Sequence, residues 1–272
     1  YLYAQKEYRE YISTKLLSNL EKGKTYIISF MVSKAENTEY AIDEFNVLFT
    51  KKEIFQNDSK FIDIKALPKS YAPKLIKVKE HESYKNTELW QEVSAIYVAT
   101  GNESYLTIGN FKNNHATKRL IVKKSKRKAA YYYLDMVTVK EEKSVNWNKI
   151  YVVDNLLFKS NEWKINFKGS KRLKKAALYL KAFPEKAIYI YGHADAHGNT
   201  LSNKKLSEKR AESVATFLKS KGLDDSRIIW KGLGEEKPLV KNNSEEGRRK
   251  NRRIEFVLAD MNSEYANNLY ID

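Results

Sequence analysis

The chain has 272 residues, 42% of them hydrophobic, which leaves room for two domains that each bury a core. It contains no cysteine, so disulfides, thiolate-ligated zinc and cysteine nucleophiles are excluded. Lys and Arg number 50 against 34 Asp and Glu, and the resulting charge of +16 favours acidic partners such as anionic polymers, membrane surfaces or nucleic acid without choosing among them.

The sequence opens on Tyr1 and holds no run of about 18 apolar residues. It therefore reads as a soluble mature or trimmed fragment, compatible with prior removal of a signal peptide or lipid anchor. From Tyr11 to about Val139, short runs rich in Tyr, Val, Ile, Phe and Thr alternate with polar turns, and no long segment has helical period. Tyr26 to Val32 follows a turn at Glu21-Lys22-Gly23-Lys24, and Trp90 to Val98 alternates apolar and polar side chains as a half-buried strand does. Further strands are expected after Tyr105 and Tyr131. This half is expected to be an all-β sandwich or jelly roll, an architecture that limits exposed strand edges. The densest basic run, Lys118 to Lys128 (KRLIVKKSKRK), falls between strands and is expected to be a solvated hairpin.

Beyond Glu141-Glu142-Lys143 the pattern changes to strands alternating with amphipathic helices. Tyr151-Val152-Val153, Ile188 to Tyr191, Arg227 to Trp230 and Arg253 to Leu258 are strands. Leu173, Ala176, Ala177 and Leu180 mark one helix face, and Ala211, Val214, Ala215 and Leu218 another, with Gly222 placed to end the second helix in a left-handed conformation. The expected organisation is multidomain: an all-β jelly-roll domain over residues 1–143, an α/β sandwich with helices on a mixed sheet over 144–260, and an unstructured tail over 261–272.

The second half carries a set of short motifs in fixed order. They are Asn155-Leu156-Leu157-Phe158, Gly192-His193-Ala194-Asp195, Asn203 with Leu206-Ser207 and Arg210-Ala211, Gly232-Leu233-Gly234-Glu235, and Gly247-Arg248 with Asn251-Arg252-Arg253. In this order the sequence from Tyr151 to Leu258 resembles the OmpA-like peptidoglycan-binding domain, shared by peptidoglycan-associated lipoproteins and flagellar stator proteins. Two positions depart from the family's pattern: Ala194 where Thr is usual, and Lys159 where an acidic residue is common.

The resemblance implies non-covalent binding of the peptidoglycan stem peptide, whose meso-diaminopimelate residue ends in an ammonium and a carboxylate. A zwitterion of this kind calls for one anion and one cation held a few ångströms apart. Asp195, just past a strand, suits the ammonium, and Arg210, on the following helix, offers a guanidinium fork to the carboxylate. By the same resemblance Leu206 and the Asn203 loop shape the pocket and Phe158 lies near it. Arg253 is a candidate for either ligand contact or support of the sheet. A helix beginning at Leu206 would add free backbone N–H groups for negative charge. The two charges are expected to converge on an open, water-filled notch. A plain internal ion pair between Asp195 and Arg210 is the competing structural explanation.

His193, Asp195 and His197 would share one side of a continuous strand, as metal ligands do. A turn at Gly198-Asn199 and the place of His193 in the family motif argue against that reading. The first half looks, more loosely, like the galactose-binding-like jelly roll of carbohydrate-binding modules, through Gly101 to Phe111 and the strand Tyr131 to Val139. That resemblance implies Asp135 as a candidate ligand of a structural calcium, the sole cofactor in prospect, and a glycan or protein as partner. Tyr71, Tyr84 and Trp90 are available to stack on sugars, although core packing is the expectation for Trp90.

The combined expectation is a non-enzymatic protein of the Gram-negative periplasm that tethers the outer membrane or an exported assembly to the cell wall. A cell-wall or glycan hydrolase and an anionic-polymer binder are the rival classes. No nucleic-acid module is present, so nucleic acid is not expected as partner.

Overall fold

The computed structural model describes residues 2–3, 8–55, 60–79, 84–142, 145–153, 163, 165 and 167–263. The chain divides into two compact units, Tyr1–Ser144 and Val145–Asp272.

In the first unit the main strands are β1 (Ile12–Lys15), β2 (Thr25–Lys34), β3 (Tyr40–Ile42), β4 (Glu44–Thr50), β5 (Lys74–Lys79), β6 (Gln91–Val98), β7 (Tyr105–Gly109), β8 (Arg119–Ile121) and β9 (Tyr132–Glu142). They form a three-stranded sheet in the order β9-β2-β6, a four-stranded sheet in the order β1-β7-β4-β5, and a β8-β3 ribbon. All these pairings are antiparallel. The period-2 alternation of Tyr26, Ile28, Phe30 and Val32 puts these four side chains on one face of β2. There they share a single core with Phe45, Val47 and Phe49 of β4 and with Leu106 and Ile108 of β7. Both larger sheets thus contribute to one apolar interior. No α-helix occurs among the described residues of this unit.

Four aromatic and acidic positions need correction or placement. Trp90 does not pack in the core: it precedes β6 and is 47% exposed, because the alternation that continues along the strand begins only at Gln91. Tyr84 is buried against Phe45, so it offers no face to a sugar, while Tyr71 is half-buried. Asp135 is exposed at a β-bulge in β9, where its carboxylate accepts the N–H of Met136, a residue at φ 53°. Among the described residues no three His, Cys, Asp or Glu side chains gather to hold a metal.

The second unit contains β10 (Ile150–Val153), α1 (Phe167–Ala182), β11 (Lys186–Gly192), α2 (Thr200–Ser220), β12 (Ile228–Gly232), α3 (Glu245–Asn251) and β13 (Ile254–Asp260). Its sheet has the order β10-β13-β11-β12, with only β11 and β12 parallel. The α1 residues Leu173, Ala176, Ala177 and Leu180 and the α2 residues Ala211, Val214, Ala215 and Leu218 pack together on Ile188, Ile190, Ile254, Phe256 and Leu258. Each of the larger aliphatic side chains contributes about 1.5–3 kcal/mol through burial. The opposite sheet face is a separate small cluster around Tyr189, Tyr191 and Val257. As the sequence suggests, α2 gives way at Gly222, whose φ is 82°. No helix among the described residues is long and apolar enough to cross a membrane.

Candidate functional site

Two glycines bring α2 onto the ends of the parallel strands. Gly192 and Gly232 are register partners across β11 and β12. A Cβ on Gly192 would lie 2.1 Å from the backbone oxygen of Ser207, and one on Gly232 would lie 2.4 Å from the backbone nitrogen of Glu208. Only a strand pair without side chains at this level lets the helix backbone rest there. Ser207, fully buried, locks the contact by accepting the Gly234 N–H and donating to the Lys204 carbonyl. Arg210 lies one helical turn further on, and the contact sets its distance from the strand end.

The helix begins earlier than expected. Asn199 caps it by accepting the N–H groups of Leu201 and Ser202, so Thr200 is its first residue and Leu206 sits in the second turn with its N–H inside the helix. Leu206 is half-buried. Asn203 is likewise a helical residue and not part of the entering loop. Its amide donates to the carbonyls of Asp195 and His197 and, at 2.6 Å, to Glu235, fixing the loop after β11 against α2. The other Glu235 oxygen accepts the hydroxyl of Thr200, which ties the helix start to the loop after β12.

Asp195 and Arg210 lie near one another at this end of the sheet, but among the described residues both are buried and do not line the expected open notch. Asp195 is 7% exposed and Arg210 2%. Arg252, at the end of α3, lies across Asp195: its Nη1 donates to Asp195 Oδ2 at 2.6 Å, and its Nη2 donates to Glu245 Oε1 at 2.6 Å. The second Asp195 oxygen accepts the backbone N–H of His197. That hydrogen bond curls the chain into a turn after Ala194, which removes the continuous strand needed for a His193-Asp195-His197 metal site.

Burial depresses the pKa of Arg210 to about 10, the nearby charge of Arg252 adds to this, and Asp195 works in the opposite direction. Two guanidinium groups, Arg210 and Arg252, therefore act on Asp195 and on one another, with Glu245 as a second carboxylate on Arg252. Burial also opposes the charge on Arg252, yet its hydrogen bonds to Glu245 and Asp195 outweigh that cost and raise its pKa.

The three residues of the Asn251-Arg252-Arg253 motif do different things. Asn251 is buried and clamps the preceding loop, accepting the N–H groups of Leu239 and Val240 and donating to the Val240 carbonyl. Arg252 reaches the site. Arg253 is turned into the sheet, where its Nε donates to Glu255 at 2.7 Å and its other nitrogens to the Asn251 and Lys237 carbonyls, so it stands in the supporting position. Glu255 also faces buried His193, and burial pushes the His193 pKa below its ordinary value of 6.5. Phe158 and Lys159 lie outside the described residues.

Residues 157–252 match the model of the OmpA family. The sequence is 34% identical over 134 residues to the peptidoglycan-associated lipoprotein of Buchnera aphidicola, covering 49% of this chain and 74% of that protein. The chain belongs to the OmpA family. Among OmpA family relatives, the probable lipoprotein YiaD of Escherichia coli is 36% identical over 108 residues, 40% of this chain and 49% of that protein. The outer membrane protein A of Bordetella avium is 39% identical over 90 residues, 33% of this chain and 46% of that protein. The chain thus spans about half the length of these two curated relatives. Among solved structures, the peptidoglycan-associated lipoprotein of Burkholderia pseudomallei is 30% identical, covers 39% of this chain and 90% of that one, and superposes with a TM-score of 0.37.

Proposed function

We propose that the second unit holds non-covalently to the peptidoglycan stem peptide through its diaminopimelate zwitterion, and that the protein tethers an outer-membrane or periplasmic assembly to the cell wall. The observation that supports this reading best is the placement of the Asp195 carboxylate beside two guanidinium groups at the strand ends. In this reading the ligand ammonium replaces Arg252 on Asp195. Arg252 keeps its second carboxylate, Glu245, and with Arg210 provides positive charge for the ligand carboxylate. Asn203 positions Asp195 by holding its carbonyl, and Leu206 covers the aliphatic part of the ligand. Relatives described as peptidoglycan-associated and outer-membrane lipoproteins favour the periplasm as the compartment. Binding proceeds without bond cleavage, so sacculi incubated with the protein release no soluble fragments.

In the first unit we propose a jelly roll related to galactose-binding modules, serving glycan or protein contact; its two sheets around one core support this reading.

Calorimetric titration with a soluble muropeptide tests the site. Binding of the diaminopimelate form and loss of binding when lysine replaces diaminopimelate is the expected result, because lysine lacks the terminal carboxylate. Equal affinity for both forms contradicts the role given to Arg210 and Arg252.

A further inference from the structure

The basic run of the first unit is a built structure and not a loose loop. Glu39, buried, organises it: its backbone N–H donates to the Arg127 carbonyl, its carbonyl accepts the Val122 N–H, and its carboxylate takes the Ser125 N–H and the Lys128 ammonium. The Ser125 hydroxyl adds a bond to the Asn37 carbonyl. Strand β8 pairs with β3 along Arg119 to Ile121, and the Arg119 guanidinium stacks on the Tyr40 ring.

Held this firmly, the segment still leaves Leu120, Ile121 and Val122 exposed, Ile121 at 63%. Around them stand Lys118, Arg119, Lys123, Lys124, Lys126 and Arg127, all exposed, and the segment from 118 to 128 contains no acidic residue. Adjacent side chains on a strand point to opposite faces, so Leu120 and Val122 present one side and Ile121 the other. A protein groove covers one face of an edge strand, and a soluble polyanion uses the cations while gaining nothing from the aliphatic groups. A charged bilayer surface satisfies both features when β8, paired on one side only, enters the interfacial layer by its other edge, so that aliphatic side chains of both strand faces are immersed while the surrounding cations meet lipid phosphates.

We propose that the Lys118–Lys128 segment is a docking surface for an anionic phospholipid bilayer. The net charge of +16 adds long-range attraction to the same surface. Because the segment is ordered by Glu39 beforehand, little conformational entropy is lost on contact. The inference concerns the first unit and is independent of stem-peptide binding by the second.

The test is co-sedimentation of the whole chain with vesicles of phosphatidylcholine alone or mixed with phosphatidylglycerol, with retention on a heparin column measured in parallel. Wild type sediments with the mixed vesicles and not with the neutral ones. The charge variant Lys123→Gln/Lys124→Gln/Lys126→Gln/Arg127→Gln and the apolar variant Leu120→Ser/Ile121→Ser/Val122→Ser each lower the apparent affinity about tenfold or more. The apolar variant keeps its heparin retention. Ile121→Trp supplies a readout that needs no loss of function: its fluorescence shifts to the blue on mixed vesicles. Failure of wild type to sediment, an unshifted Ile121→Trp spectrum, or wild-type vesicle binding by the apolar variant overturns the proposal; the last result identifies a polyanion site instead.

Discussion

Arg252 and Asp195 form a 2.6 Å ion pair across the mouth of the site, and the second arm of the same guanidinium is fixed by Glu245 at 2.6 Å. A fork that spans two carboxylates is more rigid than a single lysine contact, and it keeps the partly buried Asp195 charge balanced before any ligand arrives. The site is therefore closed at rest, and its acid already has a cation.

Replacing that cation should cost stability. Arg252→Gln leaves Asp195 with the His197 N–H and the charge of nearby Arg210 but without its direct ion pair, and the second unit is expected to lose about 1.5–3 kcal/mol. Urea denaturation followed by circular dichroism measures it. An unchanged midpoint would show that the pair contributes nothing to the fold.

Close approach of α2 to the strand ends should be as critical as any charged residue. Gly192→Ala drives a methyl group into the Ser207 carbonyl, a backbone atom that cannot rotate aside. We expect a loss of about 3 kcal/mol or more, together with weakened stem-peptide binding as Arg210 moves away from Asp195. Gly234→Ala is a useful contrast, since its cost is set by a φ of 59° and not by a clash with Ser207. If Gly192→Ala is neutral, the helix is not seated as described.

His193 gives a pH signature. Burial lowers its folded pKa, so the unfolded chain takes up a proton near the ordinary value of 6.5 that the folded unit refuses. Stability from this group is complete above about pH 6.5 and declines as pH falls below it. His193→Gln lowers stability at neutral pH yet flattens this slope. Denaturation midpoints between about pH 7 and pH 5 should fall for wild type and stay level, as far as this group is concerned, for the variant.

Asn203 joins three segments through one amide, so Asn203→Asp tests positioning and not size. The substitution replaces the donor to the carbonyls of Asp195 and His197 with an acceptor and sets like charge against Glu235. A loss of about 2 kcal/mol in stability is expected, with a further loss of stem-peptide affinity. Retention of both would remove Asn203 from the site.

The α/β half was legible because its signals are local. Helix faces at Leu173 to Leu180 and Ala211 to Leu218 follow from 3.6-residue spacing, and the family motifs fall in order along the strands and turns. The site was less legible because its decisive contacts are not local. Choosing between the adjacent Arg252 and Arg253 requires knowing that α3 ends at Asn251 and that β13 begins at Ile254, which sends one guanidinium to Asp195 and the other into the sheet beside Glu255. Burial of Arg210 was hidden for the same reason: it depends on Gly192 and Gly232 being neighbours across two strands, a pairing that spacing alone does not reveal. The helix start at Thr200 could have been read from Asn199, whose side chain is a strong cap, but the motif residues further along drew the boundary to Leu206. In the first half, Trp90 misled because an alternating pattern does not say which end residue lies beyond the sheet.

The measurement that bears most directly on the account is co-sedimentation of the whole chain with purified sacculi, comparing wild type with Asp195→Asn and with Arg210→Lys and adding free diaminopimelate as competitor. Both substitutions nearly preserve shape, which matters because Asp195 and Arg210 are buried and truncation to alanine would disturb the fold. The account predicts that wild type pellets with sacculi and is released by diaminopimelate, and that each variant stays folded and binds at least about tenfold more weakly, as loss of a charge-assisted contact requires. Folded variants that pellet like wild type, or binding indifferent to diaminopimelate, would contradict it.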